Sequence, residues 1–255
     1  IIQTILSAQQ GVKSISIGYA EQGNRLQDIA AINALRDLTA YYLRYFKINN
    51  VNISTVFHQY MAAFPTDIEK AEDLIFNSAI TAKLANSSRM MMKSPVEAIK
   101  IPSTKENEIG VKLSKGGFLF SDDMKFNYDL IKEEKNQIIN EVNLIMKKIL
   151  ELGAGDIAKG AILGCTKGVI DIPFSPNKYN LGKVVCLRDI SGAIRFADCG
   201  NLPFNKDIKE FHEQKIHERK IMERKTSIYE MLENDLQRIS LNDFTSWPLD
   251  KNYIT

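Results

Sequence analysis

The sequence predicts an α/β fold in which parallel β-strands alternate with helices, followed by a mainly helical C-terminal extension with short hairpins. Up to about residue 98, short runs rich in β-branched and aromatic residues alternate with helical runs, a pattern typical of successive βα units. Beyond Ile101 the pattern changes to a long one-sided helix. We therefore divide the chain into a βα region, residues 1–101, and a C-terminal extension, residues 102–255.

Three strands are predicted, at residues 14–19, 51–57 and 89–92. The helix after the first strand has an apolar stripe that runs from Leu26 to Leu43, and a second helix is predicted from about Asp67 to Ala85. Three βα units are too few for a closed barrel, which needs eight, or for an open sheet of about five or six strands. Because the chain also starts within an amphipathic helix, without Met, we expect a fragment of a longer protein.

In the C-terminal extension, apolar residues at alternating three- and four-residue steps predict a helix over 129–151 that ends at Gly153. Glycine and proline then punctuate residues 153–204, whose short apolar runs at 169–172, 183–187 and 193–196 suggest hairpins or covering loops. Asp156 and Asp171 are expected to cap helices or form turns. Residues 206–225 contain 12 charged side chains of mixed sign, which favours a solvated helix with exposed His212 and His217.

Composition excludes several classes of function. The 33 Lys and Arg residues nearly balance 31 Asp and Glu residues, so the charge predicts neither nucleic-acid nor membrane binding. The longest uncharged run, 48–66, holds three asparagines, His58 and Pro65, and is too polar for a membrane span. Three widely spaced cysteines without C-x-x-C favour reduced thiols in a cytoplasm, and no metal site is predicted. The usual motifs of nucleotide, dinucleotide and serine-hydrolase sites are missing from the sequence.

The segment from Met92 to Glu97 follows the third strand, at the end where parallel α/β folds place ligands. Two interpretations remain open. Ser94, Pro95 and Glu97 have the spacing of a capping box that starts a helix. Alternatively, Lys93 and Glu97 bind a ligand, since a carboxylate that accepts from two hydroxyls and a nearby ammonium donor suit a ribose.

The segment from Phe57 to Pro65 leaves the second strand at the same end of the sheet. Met61 and Phe64 either line an apolar cofactor pocket or belong to the core. His58 is equally compatible with a structural and a catalytic role.

Taken together, these segments resemble the C-terminal half of the large (E, or epsilon) subunit of adenosylcobalamin-dependent glutamate mutase, also called methylaspartate mutase. The similarity extends from Gly11 to about Leu236. It rests on many ordered matches, among them Gly11-Val12-Lys13, Thr55-Val56-Phe57-His58-Gln59, Phe64-Pro65, Lys93, Glu97-Ala98, Ile101-Pro102, Glu151-Leu152-Gly153, Asp171-Ile172-Pro173-Phe174, Tyr179-Asn180 and Arg188-Asp189.

The resemblance implies that residues 1–101 are the last three βα units of a TIM (β/α)8 barrel. It implies that a 5′-deoxyadenosyl radical abstracts hydrogen from L-glutamate, which rearranges to (2S,3S)-3-methylaspartate. Transferred by motif position, Lys93 and Glu97 would hold the adenosyl ribose, and Phe64 and Ile101 would flank the cofactor. Met61, with His58, would lie near the substrate. The family's main substrate-binding residues lie upstream of this sequence, so no catalytic residue is assigned.

The resemblance also implies a partner, the small cobalamin-binding S subunit, in a heterotetramer of two large and two small subunits. In agreement, the sequence has no D-x-H-x-x-G motif to supply a cobalt ligand. Tyr60, Ala62 and Ala63 replace Trp and Gly-Gly of the family pattern, which predicts a changed loop shape. Two alternatives remain open, a cobalamin isomerase that acts on another amino or carboxylic acid and a homologue that binds a partner without catalysis.

Overall fold

A computed structural model describes residues 1–121, 127–225, 227–241 and 249 of the chain. The chain divides into two compact units. Among the described residues, the sheet unit comprises residues 11–135 and 238–241, and the hairpin unit comprises residues 1–10, 136–237 and 249. In chain order the elements are α1 (Ile2–Gln9), β1 (Ser14–Ala20), α2 (Arg25–Tyr45), β2 (Asn52–His58), α3 (Ile68–Leu84), β3 (Arg89–Met91), α4 (Thr104–Phe120), α5 (Tyr128–Leu152), α6 (Ile157–Lys167), β4 (Val185–Arg188), β5 (Ile194–Asp198), α7 (Lys206–Glu223) and α8 (Ile228–Ser240).

The sheet unit contains a three-stranded parallel sheet in the order β1-β2-β3. The predicted strands and their βα order are thus confirmed, because α2 connects β1 to β2 and α3 connects β2 to β3. The register aligns Ala20 with His58 and His58 with Met91, so the carboxyl ends of all three strands lie at one edge.

Side-chain caps set the starts of the helices in this unit. Asn24 accepts a hydrogen bond from Gln27 N–H at the start of α2, and Asp67 accepts one from Lys70 N–H at the start of α3. Helix α4, which the sequence patterns did not predict, starts with a full capping box formed by Ser103 and Glu106.

The two faces of the sheet differ in polarity. Phe57 is fully buried, and the side chain of Gln59 bonds to the Ile75 carbonyl of α3, so this face is covered by helices. Successive residues of a strand point to opposite faces, which places His58 on the other face. There the His58 ring lies beside Gly18 of β1, and Ser16 bonds to Ser54.

The hairpin unit contains α6, α7 and the antiparallel pair β4-β5. Of the two structures suggested for the short apolar runs, 183–187 and 193–196 form a hairpin, whereas 169–172 belongs to a loop. The prediction of a solvated His212 is wrong. This residue is 2% exposed, its Nε2 lies 2.9 Å from Glu141 Oε1, and its ring contacts Phe196 and Phe204.

The lone acids of the hairpin unit act as predicted, as caps and turn residues. Asp156 caps α6, and Asp171 accepts hydrogen bonds from the backbone N–H groups of residues 182, 183 and 184. All three cysteines are free. Among the described residues, no helix combines the length and apolar character needed to cross a bilayer.

Candidate functional site

The candidate site lies in the sheet unit, at the edge where the three parallel strands end. Glu21 directly follows β1, Gln59 directly follows β2, and Lys93 lies two positions after the end of β3. In parallel α/β folds this edge carries the ligand-binding loops, because the strand ends bring residues from distant parts of the chain together.

Lys93 and Glu97 form a close ion pair in the segment after β3. The Lys93 Nζ atom lies 2.6 Å from Glu97 Oε1 and 5.5 Å from the centroid of the Phe64 ring. Their side chains are 19% and 37% exposed, so the pair is accessible to a ligand. The structure therefore brings three of the predicted cofactor residues together.

The capping-box interpretation of Ser94 and Glu97 is wrong. Residues 95–99 form turns and not a helix, and the buried Ser94 Oγ has no hydrogen-bond partner in the described part of the chain. The same S-x-x-E spacing recurs at Ser103 and Glu106, where it does cap a helix. Glu97 bonds to Lys93 and is not engaged in capping.

Two neighbours fix the backbone of Lys93. The Lys93 N–H donates to Gln59 Oε1 at 2.7 Å, and the Gln59 amide nitrogen donates to the Ile75 carbonyl at 3.0 Å, so this fully buried amide joins β2, α3 and the Lys93 segment. On the other side, Gly110 of α4 packs against the Lys93 carbonyl so closely that a Cβ at position 110 would lie 2.4 Å from that oxygen.

The other predicted site residues have different surroundings. Phe64 is buried with Ala71 and Ile75, so it serves the core as well as the contact with Lys93. Met61 is 59% exposed and Ile101 is 93% exposed. Among the described residues, neither of these nor His58 makes a hydrogen bond or ring contact with Lys93, Glu97 or Phe64.

A buried carboxyl group, Glu21, is part of this edge and was not predicted. Its Oε2 accepts hydrogen bonds from Tyr60 N–H and from the hydroxyl of Ser78, and its own N–H donates to the His58 carbonyl. Burial, reinforced by the nearby charge of Asp28, raises the pKa of Glu21 to about 8. The only signal in the sequence is a carboxylate two positions after the predicted strand 14–19.

Asp28 and Arg25 surround Glu21 on the side of α2. Asp28 is fully buried and accepts hydrogen bonds from Tyr19 Oη and from the N–H groups of Gln22 and Gly23. Arg25 reaches α3, and burial lowers the pKa of its guanidinium. These groups hold the segment after β1 in place.

The Ala62 and Ala63 substitutions do not strain the loop after β2. The non-glycine residues with positive φ are Lys47, Asn50, Asn86, Ala154, Phe174 and Arg224 among the described part of the chain, so neither alanine adopts a backbone conformation that requires glycine.

The chemistry of the Lys93–Glu97 pair suits a hydroxyl-bearing ligand. Lys93 occupies only Oε1 of Glu97, and no described residue donates to Oε2, which therefore can accept from a ligand hydroxyl. The ammonium retains further N–H donors. A vicinal diol, such as that of a ribose, presents both a donor and an acceptor to such a pair.

Comparison with known proteins identifies the family of this chain. The family model for the methylaspartate mutase E chain matches residues 1–246. This chain belongs to the methylaspartate mutase E chain family. It is 40% identical over 241 residues to the glutamate mutase epsilon subunit of Desulfitobacterium hafniense, and 38% identical over 241 residues to that of Treponema denticola. Each match covers 94% of this chain and 50% of the relative.

The family resemblance inferred from the motifs is thus confirmed, and the chain spans about half the length of the curated relatives it matches. The relatives carry the name glutamate mutase epsilon subunit, which describes each of them as one subunit of a mutase.

Proposed function

We propose that this chain forms part of the large subunit of an adenosylcobalamin-dependent glutamate mutase and that Lys93 and Glu97 bind the adenosyl ribose. The observation that carries this proposal is the ion pair at the carboxyl edge of the sheet, in which Glu97 Oε2 and the Lys93 ammonium retain hydrogen-bonding capacity. Family membership supports the choice of ligand.

The neighbouring side chains fit the same ligand. Phe64, whose ring lies near the Lys93 ammonium, and the exposed Ile101 supply apolar surface to flank the cofactor. His58 ends β2 and Met61 follows it in the next loop, at this edge of the sheet. We assign both residues to the substrate side. When bound, adenosylcobalamin supplies the 5′-deoxyadenosyl radical for the rearrangement of L-glutamate to (2S,3S)-3-methylaspartate.

The residues of this chain bind, orient and shield. Lys93 and Glu97 fix the ribose hydroxyls, while Phe64 and Ile101 exclude water from the reacting group. We further propose that β1, β2 and β3 are the last three strands of a TIM barrel, and that a small S subunit carries the corrin opposite their carboxyl ends in a heterotetramer of two large and two small subunits.

The test uses the large subunit in its full natural length with a small subunit, adenosylcobalamin and L-glutamate. Lys93→Ala and Glu97→Ala remove charge-assisted hydrogen bonds to the ribose, so each is expected to raise the dissociation constant of adenosylcobalamin about tenfold or more. The visible absorbance of the bound cofactor gives this constant, and product analysis for 3-methylaspartate gives the turnover rate.

A matched control lies in the same unit. Glu108 and Lys112 of α4 form an exposed ion pair with the same four-residue separation, so Glu108→Ala and Lys112→Ala should leave cofactor affinity unchanged. Equal affinity in the Lys93 variant and the wild type would refute the ribose assignment. Product from another acid, with none from L-glutamate, would refute the substrate.

A further inference from the structure

A chain of largely buried hydrogen bonds joins the ends of the three strands. Of the proposed ribose-binding pair, it includes only Lys93. Glu21, after β1, bonds on both sides of Gln59: its N–H donates to the His58 carbonyl, and its carboxyl group accepts from Tyr60 N–H. Gln59, in turn, accepts from Lys93 N–H.

Most of the side chains in this chain are buried, and the bond from Lys93 N–H to Gln59 is partly buried. Glu21 is 8% exposed, Tyr60 is 2% exposed, and Gln59 and Ser78 are fully buried. Water therefore cannot replace a lost partner readily, and the group left without a partner would carry the cost of its desolvation. A displacement of the Tyr60 peptide would move Gln59 with it, and Gln59 sets the position of the Lys93 backbone.

We propose that Glu21 is a positioning residue for the Lys93–Glu97 pair, which it holds in place by fixing the peptide groups on both sides of Gln59. This inference rests on the proposed function, because it names the ribose-binding pair as the group that is positioned. Glu21 itself does not touch the ligand.

The charges around Glu21 make its role depend on protonation. Asp28 and Arg25 face it from α2, Ser78 faces it from α3, and the loop after β2 presents the Tyr60 N–H. A neutral Glu21 accepts from Ser78 and Tyr60 without repulsion from Asp28. Burial and the charge of Asp28 raise the pKa of Glu21 to about 8, although the hydrogen bonds from Ser78 and Tyr60 and the charge of Arg25 favour the carboxylate. Glu21 is therefore mainly ionised only above about pH 8, where the buried charge and its repulsion from Asp28 loosen the cluster.

The experiment compares Glu21→Gln and Glu21→Ala in the full-length large subunit with its small subunit, with 5′-deoxyadenosine as the probe. Gln keeps a carbonyl acceptor and cannot ionise, so this variant should bind the probe within about twofold of wild type at about pH 6.5. From about pH 6.5 to pH 9, wild type should lose about fivefold in affinity while the Gln variant loses none.

The Ala variant removes the acceptor at every pH. We expect about fivefold weaker probe binding and about tenfold faster hydrogen exchange at the Tyr60 amide, whose acceptor is lost. Ile32→Val, which trims a fully buried side chain of α2 and lowers stability, is the control and should change neither quantity.

The inference is overturned if the Glu21→Ala variant behaves like Ile32→Val. If the Ala variant does not fold, the pH profile of Glu21→Gln decides, and a profile that still falls like that of wild type overturns the proposal. Failure of the proposed function is distinguishable: Lys93→Ala would then leave probe binding unchanged, while Tyr60 exchange would still report whether Glu21 holds the loop.

Discussion

Among the single residues at the strand ends, some could be predicted from the sequence and others could not. Lys93 and Glu97 are predicted as ligand-binding residues because the local motif and the family resemblance point to the same segment. Whether Glu97 capped a helix or bound a ligand was undecidable from spacing, because Ser94 and Ser103 both precede a glutamate by three positions. The role of Glu21 depends on burial and on partners from β2 and α3, which no local pattern contains.

Burial of Glu21 has a consequence for stability that a residue-level measurement can test. Its pKa in the folded state, about 8, lies above the ordinary value of 4.5. The folded state therefore retains a proton that the unfolded chain releases, so this contribution to stability is complete below pH 4.5 and is lost as the pH rises to about 8.

As the pH rises across this range, we expect the unfolding free energy of wild type to fall by at least about 1 kcal/mol relative to that of Glu21→Gln. Thermal melts of the full-length large subunit at a series of pH values would measure it. A difference that is independent of pH would show that Glu21 is ionised in the folded protein.

At the scale of elements, the strands and the helices between them could be predicted because their hydrophobic periodicity is local. Helix α4 escaped prediction because Gly110, Gly116 and Gly117 interrupt its pattern. The structure shows the reason for two of these glycines: a Cβ at Gly110 or Gly117 would lie 2.4 Å from the backbone carbonyl of Lys93 or Phe76. Close packing thus weakens the sequence signal of the helix that supports the site.

This packing makes α4 a support for the Lys93 segment, which a pair of matched variants can test. Gly110→Ala should push the Lys93 carbonyl away and weaken adenosylcobalamin binding about tenfold, although alanine favours the helix by about 1 kcal/mol. Gly116→Ala has the same propensity gain but meets only the Phe76 ring, at 3.2 Å, and should retain wild-type affinity. Titration by visible absorbance compares the two, and equal affinities would show that Gly110 has no part in the site.

At the scale of the whole molecule, the proposed barrel would account for the unpaired edges of the three-stranded sheet. Within the described residues, β1 and β3 each pair with a strand on one side only. Next to β3 lies a cavity of about 310 Å³ lined by Met90, Met92, Val111 and Phe118, together with other residues of α3 and α4. The barrel is predicted from the family resemblance alone, since three βα units are compatible with more than one α/β fold.

Unpaired edges lead to a prediction for the chain expressed alone. Open strands and apolar surface favour association between copies, so we expect the 255-residue chain to self-associate. Coexpression with a polypeptide that corresponds to the other half of its relatives should yield a soluble complex. Size-exclusion chromatography with light scattering distinguishes these outcomes, and a monomeric chain with a cooperative melt would contradict the prediction.

The contact between Gly110 and the Lys93 carbonyl also constrains how this family can diverge. A lineage cannot acquire a side chain at position 110 without a compensating shift in the loop after β3, so the two positions are expected to change together. Relatives that keep Lys93 and Glu97 but have a larger residue in place of Gly110 would be the first in which to look for an altered ligand. In protein engineering, the same coupling makes α4 a place to adjust ligand preference without replacing a residue that touches the ligand.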